Sequence, residues 1–134
     1  MNTKTPKLIL RLLAGLALAA TVALHSGCVV VAAGAAGAGA VAYIRGELDA
    51  SLGNNYEAVV KAANRTISQL EFAKIGTRKD ALSANLTART AQDKKVEIIV
   101  TKSGDALTRV QIRIGVFGDE QMSMTILDKI KANL

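Results

Sequence analysis

The chain has 134 residues, room for one small domain, and 17 basic against 11 acidic residues give it a formal net charge of +6. Aromatic residues make up 3 % with no Trp, which leaves almost nothing to stack on bases or sugars and disfavours nucleic acid as a partner. A single Cys and a single His exclude an internal disulfide and the metal clusters that several of these residues build.

Lys4, Lys7 and Arg11 open the chain with no acidic residue, and an uncharged apolar run follows from Leu12 to Leu24. This is the layout of an export signal, and the run is short of the roughly 20 residues that cross a membrane. Ser26 and Gly27, small enough for a peptidase cleft, then precede Cys28. Residues 1–27 are therefore read as a lipoprotein signal peptide, with Ser26 and Gly27 as processing positions and Cys28 as the lipid acceptor. The pattern is that of a lipobox, except that His25 precedes the small residues and Leu24 stands one position early. In lipoproteins the cysteine sulfur carries a diacylglycerol and its freed amine a further acyl chain, and two or more chains anchor a protein stably. The rival reading is a transmembrane anchor with an incidental cysteine. Three of the basic residues lie in the leader, so the mature excess of positive charge is mild. That suits an anionic envelope surface better than a nucleic-acid grip.

Residues 29–42 read VVVAAGAAGAGAVA, uncharged, with glycines at 34, 37 and 39. Together with Cys28 they are expected to form a tether over 28–42. The alternative is a membrane-active helix that inserts and self-associates, because small residues let helix backbones approach. The folded domain is expected over 43–134. Alternation from Tyr43 to Leu52 predicts a strand, stopped at Gly53-Asn54-Asn55. Tyr56, Val59, Val60, Ala63, Ile67 and Leu70 fall at helical spacing. Phe72 and Ile75 mark a short extended piece broken at Gly76. Ala81 to Arg89, Val96 to Thr101 and Thr108 to Ile114 alternate again, with polar turns between them, and predict an antiparallel meander. A last helix starts at Asp119-Glu120 and carries Met122, Ile126, Ile130 and Leu134 on one face, with Lys129 and Lys131 at its negative end. The expected fold is a two-layer α+β sandwich of order β-α-β-β-β-α: a mostly antiparallel four-stranded sheet, both helices on one face, the other face polar and open.

The run Val110-Gln111-Ile112-Arg113-Ile114-Gly115-Val116-Phe117-Gly118-Asp119-Glu120, then Ile126-Leu127-Asp128-Lys129-Ile130, resembles a family of small bacterial lipoproteins, domain of unknown function 3568. Asp80-Ala81-Leu82-Ser83-Ala84 and the Ala/Gly-rich run after Cys28 carry the same resemblance. It covers residues 28–134, is most specific at 115–120, and implies an envelope location with no activity, substrate or cofactor attached. Under the usual sorting of such lipoproteins, Val29 rather than an aspartate after the cysteine implies the outer membrane, facing the periplasm.

Catalytic chemistry is poorly supplied. With His25 in the leader and Cys28 committed to lipid, neither Ser–His nor Cys–His catalysis is open, nor a His/Cys zinc site. No catalytic residue, metal or cofactor is expected, and the chain is read as not an enzyme. Glu47 and Asp49 share a strand face and could serve a hard cation or acid–base work, but a solvated face paired with arginine is preferred. The Gly115–Gly118 turn is read as structural, with Phe117 packed beneath or beside it; an exposed Phe117 contact is the alternative. Arg45, Arg89, Arg109, Gln111 and Arg113 are expected on the open sheet face as candidate partner-binding residues. Guanidinium forks there suit an envelope protein or an anionic polymer. The reading is a lipid-anchored, non-catalytic binding or accessory module held at the membrane through Cys28. Nothing in the sequence sets an oligomeric state.

Overall fold

The computed structural model describes residues 38–134. They form β1 (Ala38–Ile44), β2 (Glu47–Leu52), α1 (Tyr56–Gln69), β3 (Ala73–Lys79), β4 (Ser83–Arg89), β5 (Lys95–Lys102), β6 (Thr108–Ile114) and α2 (Glu120–Ala132). The strands make one six-stranded antiparallel sheet, ordered β1-β2-β6-β5-β4-β3, with both helices packed on it. α1 carries the chain from β2 across to the far edge strand β3. The meander β3–β6 then returns until β6 pairs with β2.

Side-chain alternation decides which face is covered. On β2, β4, β5 and β6 every second residue is buried. Register aligns these residues in rows: Leu48, Ile112, Ile98 and Leu86 neighbour one another across four strands, as do Ala50, Val110, Val100 and Ala84. Val59, Ala63 and Ile67 of α1 and Ile126, Leu127 and Ile130 of α2 close the core over them. Each large aliphatic side chain buried in this way contributes about 1.5–3 kcal/mol. The helix starts are capped: Asn55 Oδ1 accepts from the Ala58 N–H at 2.9 Å, and Asp119 Oδ1 from the Met122 N–H at 3.0 Å. At the other end of α2, Asn133 donates to Thr66 Oγ1 at 3.0 Å and Gln69 Oε1 at 2.9 Å, tying the two helices together.

The fold departs from the sequence reading in strand count, six rather than four. The expected single strand from Tyr43 to Leu52 is a hairpin. Arg45 (φ 52) and Gly46 (φ 82) form its two-residue turn, with Ile44 paired to Glu47. Positive φ at both turn residues is the geometry whose twist matches that of the flanking strands. Ala38–Ala42, assigned to the tether and to its membrane-helix alternative, lie in β1, so the folded unit begins by Ala38 rather than Tyr43. The piece expected to break at Gly76 continues as β3 to Lys79 and absorbs Ile75 as a bulge between Lys74 and Gly76. Ser26, Gly27, Cys28 and the rest of 1–37 lie outside the described residues. Among the described residues no helix is long and apolar enough to cross a membrane.

Candidate functional site

β6 lies near the middle of the sheet and points Arg109, Gln111 and Arg113 to the face opposite the helices. Glu47 and Asp49 face the same way from β2 and Glu97 from β5, so the row is mixed in charge. Arg109 embraces Asp49: its Nε lies 2.9 and 3.1 Å from the two carboxylate oxygens, and Nη2 also donates to Oδ2. That hydrogen bond, aided by the carboxylate charge, raises the Arg109 pKa above its ordinary value. Gln111 Nε2 donates to Glu47 Oε1 at 2.7 Å. Glu97 accepts from Asn85 Nδ2 at 2.9 Å and from Lys95 Nζ at 3.3 Å, and these hydrogen bonds, Asn85's first, hold its carboxyl below the usual range. The carboxylates on this face are thus engaged by neighbouring strands. Asp49 is taken up by Arg109 and Glu47 by Gln111. Among the described residues no three His, Cys, Asp or Glu side chains gather as a metal site.

The remaining candidate arginines separate. Arg89 ends β4 and turns to the following loop, where Nη1 donates to Asp93 Oδ1 at 2.8 Å and to the Asp93 carbonyl at 3.1 Å. Arg45 is not on the open face at all: it occupies the β1–β2 turn. Arg113 leans along the sheet, and its Nη2 donates to the Val116 carbonyl at 2.9 Å. The candidate arginines are therefore part of a laced surface. Only Arg109, Gln111 and Arg113 share the central strand, and the first two are held by the carboxylates of β2.

A groove of about 370 Å³ opens beside this row, lined by Ile75, Gly76, Thr77, Arg78, Asn85, Thr87 and Glu97. It lies where β3 bulges and Gly76 leaves open space. Sequence reasoning missed it because β3 was not recognised as a strand.

The other missed feature is the end of the sheet where the β1–β2 turn meets the β6–α2 loop. A Cβ on Gly46 would overlap the Phe117 carbonyl, and one on Gly118 (φ 84) would overlap the Gly46 backbone and the Tyr43 hydroxyl. The two turns touch backbone to backbone, with no room for a side chain between them. Phe117, expected to pack beneath its turn, is forced outward and is 93 % exposed, with Val116 at 77 % and Ile44 at 54 %. Arg45 projects from the same hairpin turn, and Arg113 supports the Val116 carbonyl. Strand parity carried no signal of this, because β6 ends at Ile114, Gly115 takes a positive φ, and Val116 and Phe117 beyond it are both exposed.

Fold and site define a small α+β domain: a six-stranded antiparallel sheet, helix-covered on one face, with a charge-laced open face and an apolar tip at one end of the strands. The chain belongs to the family described as Protein of unknown function (DUF3568), whose model matches residues 7–133. No curated protein matches it.

Proposed function

We propose that this chain is a lipid-anchored binding module of the bacterial cell envelope, without catalytic activity of its own. The observation that carries the reading is the tip. A domain that satisfies its open-face carboxylates internally leaves Phe117, Val116 and Ile44 in water. Large apolar side chains gathered at one exposed place mark a contact surface. The leader, the small residues Ser26 and Gly27, and Cys28 at the end of the apolar run support acylation and export. Val29 after the cysteine supports the outer membrane, facing the periplasm. A protein partner is favoured over an anionic polymer, because Arg109 is already held by Asp49. The rival, membrane insertion by residues 29–42, is disfavoured because Ala38, Val41 and Ala42 pair with β2 in a strand.

The test is metabolic labelling with an alkyne fatty acid, combined with membrane fractionation, of the wild-type chain and of Cys28→Ala. The expected result is label and membrane association in the wild type and neither in the variant. An unlabelled wild type, or a Cys28→Ala chain that keeps its membrane association, overturns the anchoring reading.

A further inference from the structure

We infer that the tip formed by Ile44, Arg45, Val116 and Phe117 is the docking point for an envelope protein that presents an apolar socket rimmed by carboxylates. The inference rests on the lipid-anchored reading and names the surface and the chemistry of the partner.

Composition is the first argument. An exposed aromatic side chain beside arginine is the kind of residue pair that dominates protein interfaces, where an aromatic anchor fills a pocket and charged neighbours set its orientation. Arg45 is exposed and has no ion-pair partner among the described residues. Its charge beside Phe117 calls for an acidic rim on whatever receives the ring.

Position is the second argument. The described chain enters β1 at Ala38, which pairs with Leu52, whereas the tip lies past Ile44 and Glu47 at the opposite end of the hairpin. A strand of seven residues spans about 23 Å at 3.3 Å per residue. The tip therefore lies at the end of the hairpin opposite the point where the chain arrives from the Cys28 side.

A second copy of the chain is a poor occupant. A two-fold contact at the tip would bring the Arg45 charges of the two copies together, with nothing there to receive them. The tip fits instead as the centre of a larger contact whose rim comes from the partner.

The ring itself supplies the test. A benzoylphenylalanine photoprobe at position 117 closely resembles the side chain it replaces, and companion probes at Gln111 and Leu107 report the open face and the Ala38 end. Full-length acylated chain is irradiated in cells, the adducts are identified, and each adduct protein is then titrated with purified full-length chain. The expected result is a discrete protein adduct from position 117 and none from 107. Its affinity for the wild-type chain should fall about tenfold or more with Arg45→Glu and with Val116→Asp, at unchanged melting temperature. Lipid adducts from 117, adducts only to a second copy, no adduct at all, or an affinity indifferent to both substitutions each overturn the proposal. An adduct from Gln111 with none from 117 overturns the tip and leaves the binding-module reading standing. Absence of acylation overturns that reading itself.

Discussion

Gly46→Ala is the perturbation that tests the contact from which the tip is built. Gly46 carries two independent constraints. Its φ of 82 lies where an L side chain costs about 1–2 kcal/mol. A Cβ there also meets the Phe117 carbonyl, and backbone cannot step aside as a flexible side chain can. Overpacking of this kind costs about 1–3 kcal/mol, so the sum is roughly 2–5 kcal/mol. Against the ~5–15 kcal/mol of a typical domain, and at about 4–8 °C per kcal/mol, the melting temperature should fall by roughly 8–40 °C. Two other glycines serve as controls. Gly115 shares the positive φ, at 64, but faces open space, so Gly115→Ala should lose only the conformational share. Gly53 has neither constraint, and Gly53→Ala should leave stability unchanged or slightly raised. Thermal unfolding of the three purified variants, followed by circular dichroism, gives the ranking. Equal losses for Gly46→Ala and Gly115→Ala would refute the backbone contact between the two turns, and with it the reason Phe117 is exposed.

Ile112→Ala empties the centre of the row between Leu48 and Ile98 and should cost about 2–5 kcal/mol in chemical denaturation. Asn55→Ala removes the cap of α1 and should cost about 1 kcal/mol by the same assay, with Asn55→Asp near wild type. Stability should hold a plateau across neutral pH and fall on both sides. Asp80, Asp119 and Glu97 are held below their ordinary values, the first two chiefly by backbone N–H groups and the third by Asn85. Their contribution is present above the unfolded carboxylate range and is lost as pH drops through their folded values, below about 4. Tyr43 and Tyr56 are raised, chiefly by burial, so theirs is present below about pH 10 and lost as pH rises beyond it. Unfolding midpoints that climb steadily from pH 4 to pH 11 would contradict this assignment.

What could be read from the sequence followed from where burial leaves a period. α1, β4, β5, β6 and α2 each press one face on the core, so every second residue, or every third and fourth, is apolar. β3 escaped because all seven of its residues are exposed at the sheet edge, leaving no face to mark. β1 escaped because AGAVAYI is small and uncharged, with no contrast between sides. The turn at Arg45-Gly46 was hidden inside an alternation that continues across it, lacking the Asn-Gly signature of such turns. The candidate site suffered similarly. Parity put Arg109, Gln111 and Arg113 on one face correctly, but their partners sit across strands whose pairing alternation does not specify. The approach of Gly46 to Gly118 joins residues far apart in the chain, so the exposure of Phe117 was not visible locally.

Arg45 is the residue where local rules and the proposed role pull apart. At a φ of 52 in a two-residue hairpin turn, Asn is the residue the geometry prefers, and a long side chain gains no packing there in return. Arg45→Asn should therefore stabilise the hairpin by about 0.5–1 kcal/mol, because Asn tolerates the left-handed region. The same substitution removes a tip cation and should weaken partner docking. A residue that lowers stability where a better one is available is the pattern expected when a site is shaped by contact rather than by folding. The two effects have opposite signs, so they cannot arise from a common loss of structure. Melting temperature and photo-adduct yield from position 117, measured on the same variant, should move apart. If both rise, or if the yield is unchanged while the fold is stabilised, Arg45 has no part in docking and the socket needs no acidic rim.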